Sequence, residues 1–207
     1  IQERLAKENP KAYEPDLACS YYNLASLYDE IQRFEKSEKM YKAAIEIRER
    51  LVKENPKAYE PDLAASYNNL AVLYKKIQRH DESEKMYKTA VEIKERLAKD
   101  NPKVYEQDLA DSYNNLANLY NEIQRFEESE NMYKAAMEIQ ERLAKENPKA
   151  YEPDLADSYN NLANLYKEIQ RFKESEMLYK AAIEIQERLA KDNPKAYEPD
   201  LAGSYNN

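Results

Sequence analysis

Glycine occurs once in this chain of 207 residues, at Gly203, so a phosphate-cradling loop of the usual glycine-rich kind is excluded. Histidine also occurs once, at His80, which leaves no Ser-His-Asp or Cys-His arrangement and no His/Cys cluster at metal-ligand spacing. The expectation is a protein that is not an enzyme and needs no metal or cofactor. The single cysteine, Cys19, permits no internal disulfide framework and fits a reducing compartment, so a cytoplasmic location is expected. No apolar run approaches the roughly 20 residues of a membrane span. The first residues, Ile1-Gln2-Glu3-Arg4, lack the apolar stretch of a signal peptide. Cations are in the minority: 32 Lys and Arg stand against 40 Asp and Glu, a net charge of -8. Such a balance repels a phosphate backbone, because binding nucleic acid requires clustered Lys and Arg. Neither a membrane nor a nucleic acid is an expected partner.

What the chain has is repetition. Asn-Pro recurs with its proline at Pro10, Pro56, Pro102, Pro148 and Pro194, always 46 residues apart. Periods of 20 to 50 residues are the mark of stacked arrays. The chain reads as one array over 1–207. Residues 1–14 form the end of a preceding repeat and a linker, repeats occupy 15–60, 61–106, 107–152 and 153–198, and 199–207 begin a further one. Both ends fall inside a unit, and exposed packing surfaces there are expected to allow head-to-tail self-association.

Within a unit, Leu109, Tyr113, Leu116, Ala117, Tyr120 and Ile123 fall on one face of a 3.6-residue helix. Its start is expected at Glu-Pro-Asp, as in Glu60-Pro61-Asp62, since proline and an acid both suit a first helical turn. The third unit departs, with Gln107 in place of that proline. A second helix follows Gln124-Arg125 and carries two stripes: Phe126, Ser129, Tyr133 and Ala136, then Met132, Ala136, Ile139 and Leu143. Two stripes imply two neighbours. Asn147-Pro148 ends it, because the residue before proline is pushed out of helical geometry. Glu130 with Lys134 and Glu138 with Arg142 form i,i+4 pairs, each worth about 0.2–0.5 kcal/mol. The remaining segment, Asn-Pro-Lys-Ala-Tyr-Glu-Pro-Asp, is expected to project as a linker with its tyrosine tucked between units.

The spacing of Tyr113, Leu116, Ala117, Tyr120, Ser129, Tyr133 and Ala136 resembles the alternating large and small packing positions of a tetratricopeptide repeat. Tyr113-Asn114-Asn115-Leu116-Ala117-Asn118-Leu119-Tyr120, followed by Tyr133-Lys134-Ala135-Ala136-Met137-Glu138-Ile139, is similar to the longer repeats of kinesin light chains. The resemblance implies an all-α, right-handed superhelical solenoid of antiparallel helix pairs, with first helices lining a concave groove. It also implies peptide or protein binding. Two departures are visible: Gln32, Gln78, Gln124 and Gln170 replace the family's helix-turn glycine, and the link exceeds that of the basic unit of about 34 residues.

On a helical wheel the face opposite the apolar stripe is polar. It offers Tyr22, Asn23 and Ser26 in the first unit, then Asn68, Asn69, Val72 and Lys75 in the second. The third supplies Asp111, Asn114, Asn115, Asn118 and Asn121, and the fourth Asp157, Asn160, Asn161, Asn164 and Lys167. These positions vary between copies while the apolar set barely changes. Asparagine carries donor and acceptor together and pairs with the N–H and C=O of an extended backbone. The expected function is a non-catalytic scaffold binding an extended peptide or partner segment in this groove. The alternative is a structural spacer, or an engineered or consensus-like array. Remaining features have plainer readings: His80 stands where Phe34, Phe126 and Phe172 stand and reads as a turn-packing residue; Cys19 as a small polar or packing residue. Glu127, Glu128 and Glu130 read as solvating charges, and the tyrosines, such as Tyr67, Tyr74 and Tyr87, as core.

Overall fold

The computed structural model describes residues 2–193, and among them there are nine helices and no strand. The expected start of a further repeat at 199–207 lies outside the described residues. After α1 (Gln2–Glu8) come α2 (Pro10–Glu30), α3 (Phe34–Glu54), α4 (Pro56–Lys76), α5 (His80–Asp100) and α6 (Pro102–Glu122). They are followed by α7 (Phe126–Glu146), α8 (Pro148–Glu168) and α9 (Phe172–Asp192). From α2 onward every helix has 21 residues. Two such helices, a three-residue turn and one asparagine account for the 46-residue period. We call α2, α4, α6 and α8 the A helices and α3, α5, α7 and α9 the B helices.

The chain divides into two compact units, Ile1–Tyr105 and Glu106–Asn207. In the first, Ala25, Tyr41, Ile45, Leu63, Ala64, Leu70, Leu73, Tyr74, Ile93 and Leu97 share one core. A smaller cluster joins Ala6, Leu17, Ala18, Ile47 and Leu51. In the second, Ala117, Tyr133, Leu162, Leu165 and Tyr166 form one cluster and Ala144, Leu155, Ala156, Ala182, Ile185 and Leu189 another. The two stripes of α7 do meet two neighbours. Ser129 bonds α6, while Met132 packs against the cluster that Tyr133 of α7 forms with Leu162, Leu165 and Tyr166 of α8.

The A helix starts earlier than Glu-Pro-Asp. Asn9 or Asn55 caps it with extended backbone (φ -144 and -147) and the next proline is the first helical residue. That proline presets φ and lacks an N–H that would have had no partner. The segment expected to project is therefore helical, and Pro15, Pro61 and Pro153 lie inside the helix. Each forfeits one bond, to the carbonyl of Lys11, Lys57 or Lys149, and these lysines are exposed, where a backbone carbonyl can bond water instead. Among the described residues an ion pair pins this segment to the B helix in four copies: Glu14–Arg50 at 2.8 Å, Glu60–Arg96 at 2.8 Å, Glu106–Arg142 at 2.6 Å and Glu152–Arg188 at 2.7 Å. Arg142 thus turns to Glu106 rather than to Glu138. The Glu106 side chain is only 16% exposed, and a shielded carboxylate attracts more strongly than a wet one.

Between A and B helices the turn repeats one geometry. Gln32, Gln78, Gln124 and Gln170 have φ between 57° and 62°, the left-handed region that favours glycine. Arg125 N–H donates to the Tyr120 carbonyl at 2.8 Å and Gln124 N–H to that of Asn121 at 3.0 Å, the paired closure of a Schellman turn. The same two bonds recur at Arg33, Arg79 and Arg171.

Each turn arginine also ties into the preceding repeat where both lie in one unit. Glu38 of α3 accepts from Lys42 at 2.7 Å, from the Tyr74 hydroxyl at 2.9 Å and from Arg79 at 2.7 Å. The Arg79 guanidinium lies 4.3 Å over the Tyr74 ring. Burial alone would raise the Glu38 carboxyl, but the bonds from Lys42, Arg79 and Tyr74 outweigh it and hold it at about 2, below its ordinary 4.5. Glu130, with Lys134, Tyr166 and Arg171, repeats the arrangement in the second unit and is likewise lowered.

Two outcomes follow. Glycine at the left-handed turn position relieves roughly 1 kcal/mol of strain, so Gln124→Gly should raise the denaturation midpoint and Gln124→Val should lower it; a fall with glycine would contradict the turn geometry. For Glu38 the folded pKa lies below the unfolded one, so its contribution is full above about pH 4.5 and is lost as pH falls toward 2. The difference in thermal midpoint between the parent chain and Glu38→Gln should therefore be largest near neutrality and close in acid. A difference independent of pH would exclude this role.

Candidate functional site

The polar face of the A helices is more closely held than a wet surface stripe. Asn23, Asp111, Asp157, Asn164 and Lys167 are exposed. Tyr22, Ser26, Asn68, Asn69, Val72, Lys75, Asn114, Asn115, Asn118, Asn121, Asn160 and Asn161 are half-buried. The reason is that several of the amides bridge neighbouring helices. Asn69 Nδ2 donates to the Tyr22 hydroxyl at 2.6 Å, joining α4 to α2, and Asn114 Nδ2 donates to Ser158 Oγ at 2.8 Å, joining α6 to α8. Tyr133 and Tyr179 of the B helices donate to Asn118 Oδ1 and Asn164 Oδ1, both at 2.5 Å. Lys76 reaches back from α4 to Asp29 of α2 at 2.9 Å. The face is preorganised by these bonds, and its exposed members stand between them.

In the first unit this face is backed by a residue that the sequence reading did not single out. Arg48 of α3 is 4% exposed. Its guanidinium donates to the Asp62 carbonyl at 2.9 Å and to the Ser66 hydroxyl, lies 4.9 Å over the Tyr22 ring and sits 3.8 Å from Cys19 Sγ. The nearest carboxylate oxygen, on Asp62, is 3.9 Å away. The signal available in the sequence was variation inside an otherwise repeated helix: Arg48, Lys94, Gln140 and Gln186 occupy one repeat position. Tyr22 meets Tyr41 edge-to-face at 5.8 Å, and burial, then the neighbouring Tyr22 and Asp29, push the Tyr41 hydroxyl up to about 12.

In the second unit the same region is acidic. Gln107 Nε2 donates to Asp111 at 3.1 Å and to Asp154 at 2.8 Å. Burial pushes the Asp154 carboxyl above its ordinary value. The side-chain oxygens of Gln107, Asn114 and Asn121, and that of Gln140, which is 1% exposed, are buried without a hydrogen-bond partner.

Elsewhere the described residues offer little reactive chemistry. No group of three or more His, Cys, Asp or Glu is placed to hold a metal, and no helix is long and apolar enough to cross a membrane. His80 opens α5 half-buried, its Nε2 3.0 Å from Gln78 Oε1, which fits a turn residue. A cleft of about 310 Å³ between α3 and α5 is floored by Tyr67, Leu70 and Tyr74 of α4. Its rim charges Lys42, Glu46 and Glu82 already pair with Glu38, Arg50 and Arg79.

Sequence and structure comparisons agree with this architecture. Models described as tetratricopeptide repeat match residues 20–50, 63–102 and 108–188. No curated protein matches the sequence. Among solved structures, BtubC (BKLC) from P. vanneervenii is similar with a TM-score of 0.71 and 28% identity over 87% of this chain and 66% of that one. The apo form of RapI is similar in fold, with a TM-score of 0.69, 15% identity, and coverage of 90% and 60%. The chain thus spans slightly less than two thirds of either protein.

Arg48 yields a test of the site. Because Gln140 and Gln186 fill the same repeat position, Arg48→Gln should fold with a loss of no more than about 1–2 kcal/mol. Arg48→Glu places a buried carboxylate against the Asp62 carbonyl and should cost about 3 kcal/mol or more in chemical denaturation. Equal stability of the two variants would contradict the buried geometry.

Proposed function

The chain belongs to the tetratricopeptide repeat family, whose members typically act as non-catalytic protein-interaction scaffolds, and we propose that its A-helix face binds an extended segment of a partner protein. The observation that carries this reading is the division of labour along each A helix. Leu116, Ala117, Leu119 and Tyr120 are buried, and their equivalents Leu70, Ala71, Leu73 and Tyr74 are identical. Positions turned away from that core change chemistry, from Cys19 to Ala65 to Asp111 and Asp157, and from Ser26 to Val72 to Asn118. Half-buried amides held by neighbours supply donors and acceptors in fixed places, so a ligand backbone is met without the entropy loss of ordering loose side chains. Asn115 and Asn161 are set to read the backbone, and the variable neighbours to set selectivity.

The reading is tested with a photocrosslinking residue introduced at Asn23 or Asp157 on the A-helix face and at Glu138 on the exposed face of α7. Partner adducts are expected from the first two positions and not from the third. Adducts from Glu138 alone would move the site off the A helices.

A further inference from the structure

We infer that the cleft between α3 and α5 of the first unit is a further docking site, separate from the A-helix face. Its occupant is an aromatic side chain of a partner segment, flanked by one acidic and one basic residue. The cleft measures about 310 Å³, and its interior is apolar: Ile45, Leu70 and Met86 with the rings of Tyr67 and Tyr74. That volume lies at the lower end of the roughly 300–1,000 Å³ of ligand sites. It suits one or two inserted side chains rather than a whole helix about 10 Å across. A methionine thioether and tyrosine edges favour an aromatic occupant over an aliphatic one.

Charge fixes the flanking residues. Lys42, Glu46 and Glu82 on the rim are each met by an opposite charge, from Glu38, Arg50 and Arg79. Two other rim charges are not. Glu49, on the α3 wall, accepts from the Tyr67 hydroxyl at 2.5 Å and has no cation partner among the described residues. The neutral phenol holds the carboxylate in place and leaves its charge uncompensated. On the α5 wall, the Lys85 ammonium has no partner among the described residues. An anion and a cation therefore stand on opposite walls of an apolar cleft without pairing. A segment with its base toward α3 and its acid toward α5 complements both. A free amino acid carries its two charges on one carbon, whereas these stand on separate helices. The α5 wall is particular to this unit: Glu49 and Tyr67 recur as the bonded pair Glu141 and Tyr159, but Lys85 becomes Met177, which is 70% exposed. An acid in the partner thus directs it to the first unit.

The test measures binding of the whole chain to a capped fluorescent peptide, Ser-Gly-Glu-Phe-Lys-Gly-Ser. Matched peptides carry alanine for phenylalanine or glutamine for glutamate. Alanine should weaken binding about tenfold or more, and glutamine about twofold to fivefold, as for a part-exposed charge pair. Lys85→Met copies the side chain found at Met177 and should fold; in it the cost of the glutamine should vanish. Lys39→Met removes the same charge from the matching position of α3 and should leave that cost unchanged. Amide shifts are expected in α3 and α5. Failure of the peptide to bind, a glutamine cost that persists in Lys85→Met or disappears in Lys39→Met, or shifts confined to the A-helix face would overturn the inference. Displacement of the peptide by an equal concentration of free phenylalanine would overturn it as well, by making the cleft an amino-acid site.

Discussion

In every repeat the A and B helices meet through a serine hydroxyl resting on an alanine carbonyl: Ser37 on Ala25, Ser83 on Ala71, Ser129 on Ala117 and Ser175 on Ala163, at 2.8–2.9 Å. The four alanines have no exposed surface, and the serines almost none. Side chains at the contact set how closely two helices approach, and here the smallest possible pair sets it. A polar hydroxyl at that depth requires a partner, and the alanine carbonyl has a second lone pair to offer. The contact thereby fixes both distance and register. With these set, tyrosines such as Tyr41, Tyr87 and Tyr133 can be buried beside it, and the Gln-Arg turn falls where its carbonyl partners lie.

That constraint explains which positions vary. Along the A helix, residues that touch the B helix cannot change size without displacing a close-packed neighbour. Residues one step around the helix meet neighbouring A helices, or a tyrosine of a B helix, through amide and hydroxyl bonds, and those beyond them meet solvent. Charge on this face is free to differ between copies, and it does. Lys75 belongs to the first unit, whereas Asp111 and Asp157 belong to the second.

Much of this was legible in the residues. Asn-Pro and Gln-Arg marked the two breaks, and Ala117, Ser129 and Ala136 were legible as small packing positions through the resemblance to a tetratricopeptide repeat. The helix start was not legible at Pro61, because a proline suits a first turn equally well at two places. The structure uses the one preceded by an asparagine in extended backbone, and tolerates the other where the carbonyl left without its amide belongs to an exposed lysine. Burial of the asparagines was missed for a related reason: a helical wheel shows which residues avoid the core, not which ones a neighbouring helix covers. Arg48 was hidden because it falls within a buried stripe where an arginine is uncommon, and only tertiary acceptors make it tolerable.

The central claim is that the serine–alanine framework carries the fold while the A-helix face is spare for recognition. Thermal unfolding of two variants tests it most directly: Ala117→Leu, which overpacks the contact, and the pair Asp111→Ala with Asp157→Ala, which strips charge from the face. The account predicts a fall of about 5–10 °C for the first and less than about 3 °C for the second. A larger fall from the aspartate pair than from Ala117→Leu would contradict it.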